Sequence, residues 1–255
     1  SQMSTPRRLA MPLTAAATII LSAPFVQQAF TAASSAWGSY FRAVGIAATL
    51  LPIGAALVLA AASIRDRHLA RYSAIAVSLT IGTTYVLIDG LSFAETFHFV
   101  EYGLLAWLFH RSRHSRHEGV PILMPVVACV IVGTLDEWFQ WFIPIRTGEA
   151  RDILLNGVAS GCGLLFAVAI DASAGPLTGR RRASTIRILA SGGLAAALFA
   201  LFFVTVHVGH DVYDGEIGSF RSRYTGAELF ELASDRAERW RAQPPRVQRR
   251  LSRED

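Results

Sequence analysis

Between Ala43 and Ile64 the chain runs through 22 residues without a charge. A run of that length is long enough to cross a bilayer core of about 30 Å as one helix. It is not alone. Apolar runs recur along the chain, separated by short Arg-bearing loops, and this pattern defines a polytopic helical membrane protein. The seven segments are Leu9–Phe30, Ala43–Ile64, Tyr72–Ile88, Ala94–His110, Val120–Phe142, Asp152–Ile170 and Ile188–Val206. Composition agrees: 52% of the 255 residues are hydrophobic, only 17% are charged, and the mean hydropathy is +0.38. A soluble domain carries about 25% charged residues. The expected fold is therefore all-α, a membrane bundle of about six to seven transmembrane helices with a short extracytoplasmic helical tail.

Three regions follow from the pattern. Residues 1–42 form an N-terminal anchor helix and interfacial linker, 43–206 the helix bundle, and 207–255 the tail. Arg7 and Arg8 before an apolar run also fit a signal peptide, with Ser34-Ser35-Ala36 as its cleavage site, but the segment is read as an anchor. Pro24 is expected to tilt or break it, leaving Thr31–Phe41 along the interface.

Loop charge sets the orientation. One side of a seven-span arrangement holds Arg7 and Arg8, then Arg65, Arg67 and Arg71, then Arg111, Arg113 and Arg116, and finally Arg180, Arg181, Arg182 and Arg187. The short loops opposite hold only Arg42, Arg146 and Arg151. Positive charge stays in the cytoplasm. The N-terminus is then cytoplasmic and the tail extracytoplasmic, in a bacterial cytoplasmic membrane. All basic residues are Arg, and they lie between apolar spans rather than along one face, so no nucleic-acid partner is expected. Cys129 and Cys162 lie inside apolar runs and form no Cys-x-x-Cys pair, which excludes a disulfide framework.

Ionisable groups inside a span cost about 2.5–3.5 kcal/mol each on insertion scales. Here they are concentrated. Glu95, His98, Glu101 and Tyr102 sit in one span, within an arc of about 120° if the helix is continuous. Asp136, Glu137 and Gln140 share a face of the next. A short loop with Arg146 and Arg151 leads to Asp152 and, one turn on, Asn156. At 1.5 Å per residue these groups fall within roughly 10 Å of the outer ends of three successive spans. They form either an ion-pair network, with Arg146 or Arg151 reaching Asp136, Glu137 or Asp152, or a site that binds or transforms a ligand. Gly157-x-x-x-Gly161, with Ala159 and Gly163, is expected to let the third helix approach its neighbours.

The ordered set His98-Phe99-x-x-Tyr102, Asp136-Glu137-x-x-Gln140, Pro144-x-Arg146, Asp152 and Asn156-Gly157 resembles the VanZ-like family over about residues 45–170. The family consists of small polytopic membrane proteins and is named for a member associated with low-level resistance to the glycopeptide teicoplanin. The resemblance implies a helical membrane protein with shared polar residues at these positions, and no settled chemistry. Thr96 stands where the family commonly has a Lys before the His, and the tail after the shared core is a further departure.

Other chemistry is thinner. His-Glu-x-x-His is absent, Gly157-Val-Ala-Ser160-Gly161 is no nucleophile elbow, and neither a metal nor a cofactor is expected. No catalytic residue is assigned. His110, His114 and His117, interleaved with Arg, read as a solvated inner loop, and His207-x-x-His210-Asp211 as the outer membrane edge. In the tail, Asp214-Gly215 and Gly218-Ser219 are turn signals. Thr225-x-x-Glu228 is a capping box opening a helix over Thr225–Arg241, and Pro244-Pro245 follows it. Its stripe of Leu229, Phe230, Leu232, Ala233, Ala237 and Trp240 is expected to be covered by membrane, outer loops or a partner protein. Three functions remain open: a cleft binding a lipid-linked, amphiphilic or glycopeptide ligand, an accessory subunit of a larger assembly, and a membrane-embedded hydrolase or transferase.

Overall fold

The computed structural model describes residues 5–112, 122–143, 148–171, 182–206, 210–214, 218–222, 224 and 226–241. Its helices are α1 (Thr5–Trp37), α2 (Ser39–Ser63), α3 (His68–Ile88), the single turn α4 (Phe93–Thr96), α5 (His98–Ser112), α6 (Met124–Trp141), α7 (Ala150–Ile170), α8 (Arg182–Val206) and α9 (Gly226–Arg241). A hairpin of β1 (His210–Asp214) and β2 (Gly218–Ser222) separates α8 from α9. Its turn falls between the two turn signals, and the strands pair antiparallel from His210 with Ser222 to Asp214 with Gly218.

Five helices are long and apolar enough to cross a membrane, over Leu9–Val26, Ala43–Ser63, His68–Ile88, Ala150–Ile170 and Thr185–Val206. The two expected spans outside this set are the polar ones. α5 has only 15 residues, and α6 carries Asp136 and Glu137. Both are sheltered. α7 packs along α5, α3 and α6, while α1 lies on α5 and α6, and α8 covers α6. Leu50, Leu51, Val58 and Leu59 of α2 and Leu189, Leu194 and Val204 of α8 point outward as large exposed apolar side chains, the surface a lipid phase covers.

α1 differs from expectation. It runs unbroken for 33 residues through Pro24 and ends at Gly38, whose φ of 51° is left-handed and reserved for residues without a Cβ penalty. Ser34-Ser35-Ala36 is helical, and residues 31–37 continue α1 while residues 39–41 open α2. Ala16 belongs to the central cluster with Tyr102, Leu105, Ala106, Cys129, Val132 and Ala159.

Of the small residues expected to let α7 approach its neighbours, Gly163 and Ala159 do so, and Gly157 and Gly161 do not. A Cβ on Gly161 would meet nothing within 4 Å, and one on Gly157 would make ordinary contact with Val130 at 3.8 Å. The close approach is between Gly163 of α7 and Gly103 of α5, where a Cβ on Gly163 would collide with the Gly103 backbone. Position along the small-residue ridge decides this, since only residues on the α5-facing side come near.

Two ends of the bundle are distinct. At one, Ile64, Ile75 and Ala169 cluster, and the buried Arg71 donates from Nη1 to the Ala169 carbonyl at 2.9 Å and pairs with Asp66 at 3.2 Å. His110 of α5 pairs with Asp171 at 3.2 Å with its side chain nearly buried, so it is not the solvated residue expected. His114 and His117 lie outside the described residues. At the other end, Ile153, Phe202 and Val206 pack with Trp138 and Trp141, which brings the C-terminal ends of α6 and α8 together with the start of α7.

Candidate functional site

The break between α4 and α5 shapes the site. Ser92 and Glu95 form a reciprocal cap on α4: the Ser92 amide donates to Glu95 Oε2 at 2.6 Å, and the Glu95 amide to Ser92 Oγ at 3.3 Å. Phe97 then accepts from the amides of Val100 and Glu101, starting α5 afresh. Glu95 therefore does not share a continuous helical face with His98, Glu101 and Tyr102. It turns to the rim, where Arg151 Nη1 donates to its Oε1 at 3.0 Å and Arg151 Nε donates to Asp89 Oδ2 at 3.2 Å.

This pairing corrects a second expectation. Arg151 holds Asp89 and Glu95, not Asp136 or Glu137, because it starts α7 on the side facing α3 and α4. Arg146, with Pro144, lies outside the described residues. Burial pushes the Glu95 carboxyl up, but its hydrogen bonds from Ser92 and the Arg151 charge outweigh that and hold it below the ordinary glutamate range.

Behind the rim, three helices build a buried polar core. His98 Nδ1 lies 2.8 Å from Asn156 Oδ1, which makes Nδ1–H the donor. The His98 and Tyr102 rings stack with centroids 6.0 Å apart. Tyr102, fully buried, donates its hydroxyl to Asp136 Oδ2 at 3.2 Å. Glu101 is near enough to Asp136 for their charges to interact. Glu137, also fully buried, accepts from Gln140 Nε2 at 2.8 Å and from the Glu149 amide at 3.1 Å, so it ties α6 to the chain entering α7. Asp152 stands in the first turn of α7, where a carboxylate favours the helix dipole.

Space for this core comes from a glycine. A Cβ on Gly133 would meet Asn156 Cβ and Nδ2 at 3.2 Å and the Tyr102 ring at 3.5 Å. Asn156 itself is fully buried, and among the described residues its Nδ2 has no hydrogen-bond partner.

His98, Tyr102, Asp136 and Asn156 are thus brought into one chain of contacts, with Glu101, Glu137 and Gln140 beside it. Sequence reasoning missed Asp89 and Gly133. The Asp89-Gly90 pair read only as the end of a span, and Gly133 as one more small residue in an apolar run. Gly90, with φ of 60°, is the turn that aims Asp89 at Arg151.

The arrangement is that of a polytopic α-helical membrane protein with a buried polar core at one end of its bundle. The VanZ/LLP1 family matches this chain over residues 10–171, well over half its length, and the chain belongs to that family. The match begins within α1, earlier than the resemblance near residue 45, and ends at Asp171, before α8 and the tail. No curated protein and no solved structure matches the chain.

Proposed function

We propose that the polar core binds the head of a lipid-linked or amphiphilic cell-envelope ligand at the outer leaflet of the bacterial cytoplasmic membrane. The observation that carries this is the chain of contacts His98–Asn156 and Tyr102–Asp136 enclosed between helices, with a fully buried Asn156 amide nitrogen that has no hydrogen-bond partner among the described residues. Protein interiors rarely retain such donors, and an oxygen-rich head group would satisfy it. The end assignment is supported by charge. Arg71, in the turn after Arg65 and Arg67, lies at the opposite end from Arg151, Asp89 and Glu95, which supports an extracytoplasmic polar end under the positive-inside rule.

Native mass spectrometry of the gently solubilised protein tests the reading. A bound amphiphile should accompany the wild-type chain and be lost from His98→Ala and Asn156→Leu, while Gly161→Ala keeps it. Absence of any adduct, or an adduct indifferent to both core substitutions in folded protein, would overturn it. A second reading has its own support. Phe230 of α9 is 76% exposed, as a partner-binding subunit would leave it, and a stoichiometric partner in the same spectrum would favour that role.

A further inference from the structure

α9 is the most amphipathic of the described helices, and among the described residues it makes no extensive contact with another element. Within the chain itself Phe230 is 76% exposed and Ala237 is exposed. At 100° per residue, the helical positions of Leu229, Phe230, Ala233, Ala237 and Trp240 fall within roughly 100°. Glu228, Glu231, Asp235 and Glu238 occupy the opposite side, within about 80°. The two boundaries of the apolar stripe are held by positions Arg236 and Arg241. Arg239 falls on the polar side, beside the acidic arc. Acidic residues are thus kept furthest from the apolar face, and two of the three cations stand at its edges. That is the charge order of a helix lying in a lipid interface, where flanking guanidinium groups meet phosphates while their stems stay apolar.

The hairpin decides where this helix can lie. β1 carries the chain away from the end of α8, and β2 brings it back until Ser222 pairs with His210. Three residues separate Val206 from His210, and three separate Ser222 from Gly226, a span of at most about 14 Å each. The 19 residues between α8 and α9 therefore reach no further than about 33 Å, against roughly twice that for an extended chain. α9 begins within that distance of the end of α8, where Val206 packs with Ile153 and Trp141.

We infer that α9 docks flat on the phospholipid surface beside the outer end of the bundle, with Phe230, Ala237 and the other stripe residues in the acyl boundary and Arg236 and Arg241 at the headgroups. The occupant of the stripe is lipid, because the returning hairpin holds the helix at the surface that α8 has just crossed. This lies outside the family-matched region and does not depend on what the polar core binds.

The test uses the full chain in vesicles of phosphatidylcholine with phosphatidylglycerol. An environment-sensitive label is placed at Ala237→Cys or at Glu231→Cys; native Cys129 and Cys162 are buried and do not compete. The label at 237 should be quenched by nitroxide-bearing lipids and shielded from aqueous iodide, and the label at 231 should show the reverse. Adding Phe230→Ser should lower the docked-to-undocked ratio by roughly tenfold, the loss of one buried aromatic side chain. Shielding should weaken when phosphatidylglycerol is omitted. Iodide access at 237 equal to that at 231 would overturn the proposal. So would a 237 label shielded from iodide yet blind to nitroxide lipids, since protein would then be the cover. Shielding indifferent to phosphatidylglycerol would overturn the headgroup contact.

Discussion

Gly163 of α7 lies so close to the backbone of Gly103 in α5 that an added methyl group would overlap it. Gly163→Ala should therefore separate the two helices and cost about 1–3 kcal/mol, the usual range for overpacking. Gly161→Ala, in open space two residues away, should be nearly neutral. Thermal unfolding of the solubilised variants distinguishes them, and equal melting temperatures would refute the contact. Glu95 gives a pH dependence. Its carboxyl titrates below the ordinary range in the folded chain. A depressed folded value contributes stability that is fully present above the unfolded value, about pH 4.3, and is lost as the pH falls through the folded one. The stability gap between wild type and Glu95→Gln should thus exist at neutral pH and close in acid. A gap that widened on acidification would contradict the Arg151 and Ser92 contacts.

Glu137 joins two elements through its two oxygens, one to Gln140 within α6 and one to the amide that opens α7. Glu137→Ala should remove both of these hydrogen bonds, at about 1–3 kcal/mol, and loosen the start of α7. Hydrogen exchange should rise first at Glu149–Ile153; uniform change across the bundle would argue against a local tie. The site was legible at this scale because ionisable groups are rare in spans, so Tyr102, Asp136, Glu137 and Asn156 stood out against apolar sequence. Partner choice was not legible. Arg151 was read toward the nearest carboxylates along the chain, but the α4 turn carries Glu95 to it and the Gly90 turn carries Asp89. A single residue, Phe97, interrupts the helix there, and hydropathy has no signal for it. Pro24 shows the opposite failure. A proline inside a helix removes one hydrogen bond, and α1 tolerates that loss where the sequence favoured a break.

Across the whole molecule, the Arg-rich end and the polar end should face opposite compartments. Cysteines introduced at Arg67 and Glu228, both exposed, should label only from opposite sides of sealed vesicles. Labelling of Arg67 only from outside and of Glu228 only from inside would reverse the orientation and move the polar core to the cytoplasmic leaflet, and labelling of both from one side would refute the opposed ends. The number of spans was harder to read than their existence, because the two sheltered helices are made polar and short by what encloses them. That enclosure bears on how the chain is made. α5 is 15 residues long, about 22 Å, short of the hydrocarbon thickness of about 30 Å. α6 carries two carboxylates at the insertion cost already given. Neither is equipped to leave the translocation machinery for lipid by itself. As synthesis proceeds they must be retained until α7, long and apolar enough to cross a membrane, has emerged to pair with them. Nascent chains arrested after Ser112 should leave α5 open to protease, whereas chains extended through Ile170 should protect it. For this protein the committing event in biogenesis is therefore the release of three helices together, timed by the last of them.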